Sequence, residues 1–278
     1  MNTSSSFAYF GTPSVASETL ATLIEHGFTP SLVVTSPDAP RGRGLVLTPT
    51  PTKTLALEHA IPVLTPEKLD DETMSAIRDY GCDYALVVAY GKIFPETLIE
   101  SFPHGVLNVH YSLLPKYRGA TPLETALLSG EHETGVTVQK MVKELDAGDI
   151  IAQEATVIAE SETARELRPR LIQMGTELLV ATLPKYLNNE ITPLAQDASL
   201  ATHAYKTKKE DGLLDLTAPA EENWNKYRAY ADSIGTYFFE NGKRMKITSA
   251  EFARGEFRVL RVIPEGKREI NFADFSKN

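Results

Sequence analysis

Asn108 and His110 stand two residues apart inside the otherwise apolar run VLNVHY, residues 106 to 111. On a strand, side chains at i and i+2 project to the same face, so a carboxamide and an imidazole would aim at one spot. The strand must stop soon afterwards, because Pro115 lacks a backbone donor and Gly119 favours a turn. In open parallel sheets the carboxyl ends of strands are where ligands bind. The stretch ELDAGDII supplies a third group: Asp146, followed by Ala147 and Gly148, lies in a turn where a carboxylate can reach across strand ends, with Asp149 as the competing carboxylate. A carboxylate beside a histidine orients it and favours its charged form. A carboxamide offers donors to a developing oxyanion. The three together suit attack by a substrate's own amine on an activated carbonyl carbon, with the protein stabilising the tetrahedral species and moving protons.

The elements that must position these groups read as an α/β chain. FAYF, PSLVVTS, DYALVVAY (83–90) and GVLNVHY (105–111) are short apolar runs separated by helical patterns, which predicts an open, mostly parallel Rossmann-like sheet with helices on both faces. TGVTVQKM reads as a further strand, and helices are predicted near 52–60, 66–79, 95–100 and 122–129. Residues 162–187 have helical spacing interrupted by Pro169, so a break or kink is expected there. Residues 189–205 are polar and aperiodic, as a linker would be. Beyond them strand-like runs alternate with glycine turns. The predicted division is 1–188 for the chemistry, 189–205 for the linker and 206–278 for a small β-rich, barrel-like domain.

Length and composition fit this reading. A chain of 278 residues sits where one domain usually becomes two, and 42% hydrophobic with 23% charged residues is ordinary globular composition. The net charge of −9 is uneven: residues 1–204 carry 14 basic and 25 acidic side chains, residues 205–278 carry 14 and 12. An acidic body excludes nonspecific coating of nucleic acid, which needs clustered cations. Any RNA contact would be local, in the tail or the loop PRGRG. A single cysteine excludes intrachain disulfides and Cys-rich zinc sites. No dinucleotide fingerprint, phosphate-cradling loop, serine nucleophile elbow or HExxH helix occurs, so no metal is expected. The absence of a long apolar run or a basic leader predicts a cytoplasmic protein that spans no membrane.

LNVHYSLLPKYRGATP, followed by ETGVTV and ELDAGDII, resembles the formyltransferases that use 10-formyltetrahydrofolate, with Asn-x-His, Ser-Leu-Leu-Pro and Leu-Asp-x-Gly matching in order and spacing. FAYFGTPSVASETL, VVTSPDAPRGRG, TPTPTK and VVAYGKIFP resemble the branch of that family whose acceptor is methionine on initiator tRNA. The resemblance spans residues 7 to about 215. It implies that Asn108, His110 and Asp146 are catalytic and that Ser112, Leu113, Leu114 and Pro115 help to hold the folate. By the same implication the backbone of Val88, Ala89, Tyr90 and Gly91, with that of Asp146, Ala147 and Gly148, lines the pterin pocket. Arg41 and Arg43 are implied contacts to the acceptor stem, and arginine suits phosphate through its planar fork. Lys206, Lys208, Lys209, Lys243, Arg244 and Lys246 form a basic tail surface for the same RNA. The implied partners are the folate donor and charged initiator tRNA, with the protein a monomer. One alternative keeps the chemistry and changes the acceptor to an amino-sugar nucleotide or another small amine. Another is an RNA-binding protein that kept the fold without turnover, against which the intact Asn108, His110 and Asp146 speak.

Overall fold

FAYFG and YALVV are apolar at every position, which leaves these strands no face for solvent and requires cover on both sides. The structure, a computed structural model that describes residues 5–42 and 44–275, meets that requirement. In chain order its elements are β1 (Phe7–Gly11), α1 (Ser14–Glu25), β2 (Leu32–Val34), β3 (Ala39–Arg41), β4 (Val46–Thr48), α2 (Pro51–Glu58), β5 (Val63–Leu64), α3 (Asp71–Arg78), β6 (Tyr84–Val88) and α4 (Glu96–Ile99). Then follow β7 (Val106–His110), β8 (Arg118–Gly119), α5 (Pro122–Leu128), β9 (Glu133–Lys140), β10 (Ile150–Val157) and α6 (Ala164–Leu187). The tail holds β11 (His203–Ala204), α7 (Ala220–Tyr230), β12 (Thr236–Glu240), β13 (Lys243–Ala253), β14 (Glu256–Pro264), β15 (Ile270–Asn271) and α8 (Phe272–Phe275).

The chain forms two compact units. One comprises the described residues up to Pro115 with Val136–Glu154 and Leu171–Ala201; the other comprises Lys116–Gly135, Ala155–Arg170 and the described residues from Thr202 onward. The main sheet runs β10-β9-β7-β6-β1-β2-β5. β1, β2, β5, β6 and β7 pair in parallel, and β9 lies antiparallel to β7. In-register residues share a face, so Leu64, Val34, Phe10, Val87, Asn108 and Gln139 form one row across six strands. The apolar part of that face packs on Met74 and Ile77 of α3 and on Leu98 of α4. The opposite face meets α1, where the Tyr9 hydroxyl donates to the Ala16 carbonyl at 2.7 Å, and α6.

In the second unit β12, β13, β14 and β15 form an antiparallel sheet around Leu214, Phe238, Met245, Ile247 and Val262, the β-rich tail expected from the sequence. Among the described residues no helix is long and apolar enough to cross a membrane.

Two local expectations change, and one stretch acquires local pairing. α6 runs unbroken from Ala164 to Leu187 through Pro169. Proline inside a helix costs about 3 kcal/mol, whereas each fully buried leucine contributes about 1.5 to 3 kcal/mol, and Leu167, Leu171, Leu179 and Leu183 are all buried at helical spacing. The segment after β2 is a hairpin rather than a plain loop: β3 and β4 pair antiparallel, and Lys53 of α2 binds Asp38 at their base at 2.8 Å. Residues 189–205 are locally paired, with Leu194 bridging Ile150 and β11 pairing β8.

α6 approaches the sheet closely at Gly175. A Cβ there would lie 2.9 Å from Val136 Cγ1 and 3.0 Å from Val109 Cγ1, and valine cannot swing away because β-branching fixes its rotamer. Alanine at an exposed helix position stabilises by about 1 kcal/mol over glycine; here the sign should reverse. Urea denaturation of Gly175→Ala should show a loss of about 1 to 3 kcal/mol, and a gain would mean that the helix can move off the sheet.

Candidate active site

β7 and β9 set the site through their register. Asn108 pairs with Gln139 and His110 with Thr137, so four polar side chains occupy one face where the neighbouring strands carry apolar ones. Leu107, Val109 and Val138 turn the other way. His110 is 5% exposed, and Thr137 and Gln139 are fully buried. These three are shut off from water while Asn108 is partly exposed, and the buried polar atoms need partners.

Asp146 enters from the loop between β9 and β10. Its Oδ2 lies 3.6 Å from His110 Nδ1, an ion-pair separation rather than a close hydrogen bond. Gln139 Nε2 donates to the other oxygen, Oδ1, at 2.8 Å. The Asp146 backbone sits at φ 48, the left-handed region, which aspartate tolerates better than most residues. Gln196 braces that turn: its Nε2 donates to the carbonyls of Asp146 at 2.9 Å and Gly148 at 2.7 Å. Gly148 is obligatory there, since a Cβ would fall 1.6 Å from the Lys140 carbonyl oxygen. Asp149, the competing carboxylate, is exposed and meets Lys140 only through its backbone, whose carbonyl accepts from Lys140 N–H at 2.9 Å.

The chain leaving β7 is tied down by one hydroxyl. Thr137 Oγ1 donates to the Ser112 carbonyl at 2.6 Å and accepts from Leu114 N–H at 3.2 Å and from Gln153 Nε2 at 2.8 Å. Gln153 Nε2 also donates to the Leu114 carbonyl at 3.0 Å. Ser112 and Leu114 are buried, while Leu113 and Pro115 are partly exposed, and the Leu114–Pro115 peptide is cis. At the end of β6, Val88 is buried and Ala89 and Gly91 are exposed at positive φ, which turns the backbone sharply. Tyr90 instead points into the core against Phe10 and Phe94, and burial pushes its hydroxyl up to about 12. Any ligand contact from this turn would therefore come from backbone.

Lys206, Lys208 and Lys209 are exposed, as are Lys243, Arg244 and Lys246, and the Arg244 guanidinium lies 3.9 Å over the Tyr237 ring. Arg43 and the side chain of Arg41 lie outside the described residues; nearby, Leu45, Val46 and Leu47 are exposed. Glu124 is buried and bound to Arg168 at 2.7 Å, and Arg168 also binds Asp232 at 2.7 Å.

Sequence reading missed Thr137, Gln139, Gln153 and Gln196. Thr137 and Gln139 carry a period-two signal opposite Val136 and Val138, which becomes legible only once β9 is laid against β7. Gln196 carries no pattern at all.

Comparison with known proteins decides the class. Residues 5–183 match the formyl transferase family and residues 206–259 its C-terminal domain. The chain belongs to the formyl transferase family. The methionyl-tRNA formyltransferase of Citrifermentans bemidjiense is 40% identical over 266 residues, 95% of this chain and 84% of that protein. That of Geobacter sulfurreducens is 43% identical over 263 residues, 93% and 83%. Solved structures show the same fold: the sugar 3N-formyl transferase WlaRD, solved in the presence of dTDP and 5-N-formyl-THF, has a TM-score of 0.70 at 18% identity, covering 96% of this chain and 100% of its own. A methionyl-tRNA formyltransferase from Clostridium thermocellum has a TM-score of 0.62 at 15% identity, covering 96% and 99%. The resemblance read from the motifs holds at the level of family and enzyme class.

Removing the Thr137 hydroxyl in this formyltransferase leaves Leu114 N–H and Gln153 Nε2 short of an acceptor. Thr137→Val should lose about 1 to 3 kcal/mol in denaturant melts, while Thr137→Ser, which keeps the hydroxyl, should lose less; equal losses would remove the hydrogen bonds as the cause.

Proposed function

We propose that this formyltransferase moves the formyl group of 10-formyltetrahydrofolate to the α-amino group of methionine on initiator tRNA. The observation that carries the reading is the placement of Asn108, His110 and Asp146 at the carboxyl end of β7, His110 and Asp146 at 3.6 Å and Asn108 on the same face. The acceptor is drawn from relatives named for it at 40% and 43% identity.

In this reading the amine nitrogen attacks the formyl carbon and the carbonyl electrons move onto oxygen. That oxygen lies against Asn108 and His110, with Asn108 donating to it. The proton leaves the attacking nitrogen, the bond to the folate nitrogen breaks, and that nitrogen is protonated. Asp146 orients His110 and shares in the transfer. No strong base is needed, because an α-amine with a pKa of about 7.7 to 8.0 is substantially neutral near physiological pH. Ser112, Leu113, Leu114 and Pro115, the turn Val88–Gly91, and Ala147 and Gly148 are proposed to hold the folate. Arg41, Arg43, Lys206, Lys208, Lys209, Lys243 and Arg244 are proposed to meet the RNA. The division of labour follows: formyl transfer in 1–188, a linker in 189–205 and RNA contact in 206–278.

The test supplies 10-formyltetrahydrofolate with charged initiator tRNA, an amino-sugar nucleotide or glycinamide ribonucleotide as acceptor. Formylation of the methionyl-tRNA is expected; formylation of the sugar alone would overturn the acceptor assignment. His110→Ala should lower turnover by about 100-fold or more, and near-normal turnover would take His110 out of the mechanism.

A further inference from the structure

We infer that Gln139 is a positioning residue that acts through Asp146, gripping one carboxylate oxygen so that the other stays turned toward His110. The inference rests on reading Asn108, His110 and Asp146 as the formyl-transfer site.

Two different oxygens of Asp146 are engaged. Oδ1 accepts from Gln139 Nε2 at 2.8 Å, and Oδ2 lies 3.6 Å from His110 Nδ1. Gln196 already fixes the backbone of the turn through the Asp146 and Gly148 carbonyls. Those two contacts act on the backbone, while the Gln139 donor acts on the carboxylate itself and opposes its rotation about the side-chain bonds. The amide has one sensible orientation, since its oxygen facing a carboxylate would meet like charge.

Gln139 is also costly to keep. Its side chain is fully buried and Oε1 has no hydrogen-bond partner among the described residues. An apolar side chain of similar volume would fill the space without an unsatisfied acceptor. Packing alone therefore favours methionine or leucine at this position, and the amide is explained by its donor.

The test uses the full chain with Gln139→Met. Its kcat should fall by about 10- to 100-fold, the scale of a misplaced catalytic group, with KM for both substrates within about 2-fold. In an Asp146→Ala background the same change should lower single-turnover rate by no more than about 2-fold, because residues acting as a unit are not additive. Gln139→Glu, the same size with a like charge facing Asp146, should lose at least as much as Gln139→Met and serves if the methionine variant does not fold. An unchanged kcat, or an undiminished loss in the Asp146→Ala background, would overturn the role. A crystal structure of Gln139→Met needs no acceptor: Asp146 should have turned from His110, and an unmoved carboxylate would overturn the inference. If the wild-type chain formylates none of the acceptors, the functional reading fails and that crystal structure alone decides the placement.

Discussion

The register between β7 and β9 is the constraint on which the site depends. Asn108 opposite Gln139 and His110 opposite Thr137 put a carboxamide, an imidazole, a hydroxyl and a second carboxamide on one patch of sheet. A slip of one residue would present Leu107, Val109 and Val138 to that patch and bury the polar set under α6. The slip is opposed from both faces, since Gly175 lets α6 press against Val109 and Val136 while Thr137 locks the chain that leaves β7. Packing on one side and hydrogen bonds on the other thus specify the same alignment.

The buried polar atoms of this patch need partners, and few side chains supply most of them. The Thr137 hydroxyl engages three groups, and the two amide protons of Gln196 go to two successive-turn carbonyls. Backbone in the left-handed region appears at both Ala89 and Asp146, on the turns that flank the end of β7. Unusual backbone of this kind persists where the surroundings over-determine it and gathers at functional sites. The close approach of Lys140 to Gly148 is one such surrounding contact.

Much of this was legible from the chain alone, for identifiable reasons. The parallel strands are apolar throughout, so they stand out without knowledge of their partners. Asn108 and His110 were visible because two apart on a strand means one face, and Asp146 because its turn contains a glycine. The residues that support them were not visible. Gln139 and Thr137 acquire meaning from cross-strand pairing, which no single-strand pattern contains. Gln196 acts across 50 residues of chain from an aperiodic stretch. Local propensity at Pro169 argues for a break or a kink; no break occurs, because the buried leucines on either side hold the helix together.

The left-handed backbone at Asp146 narrows what can ever stand there. Glutamate could present the same charge, but it prefers right-handed or extended backbone and would have to recast the turn that Gln196 braces. Asparagine fits the conformation and surrenders the charge; glycine fits it and surrenders the side chain altogether. Drift at this position is thus confined to residues that keep the shape while abolishing the ionisable group, so the charge could be lost in one step without disturbing the loop.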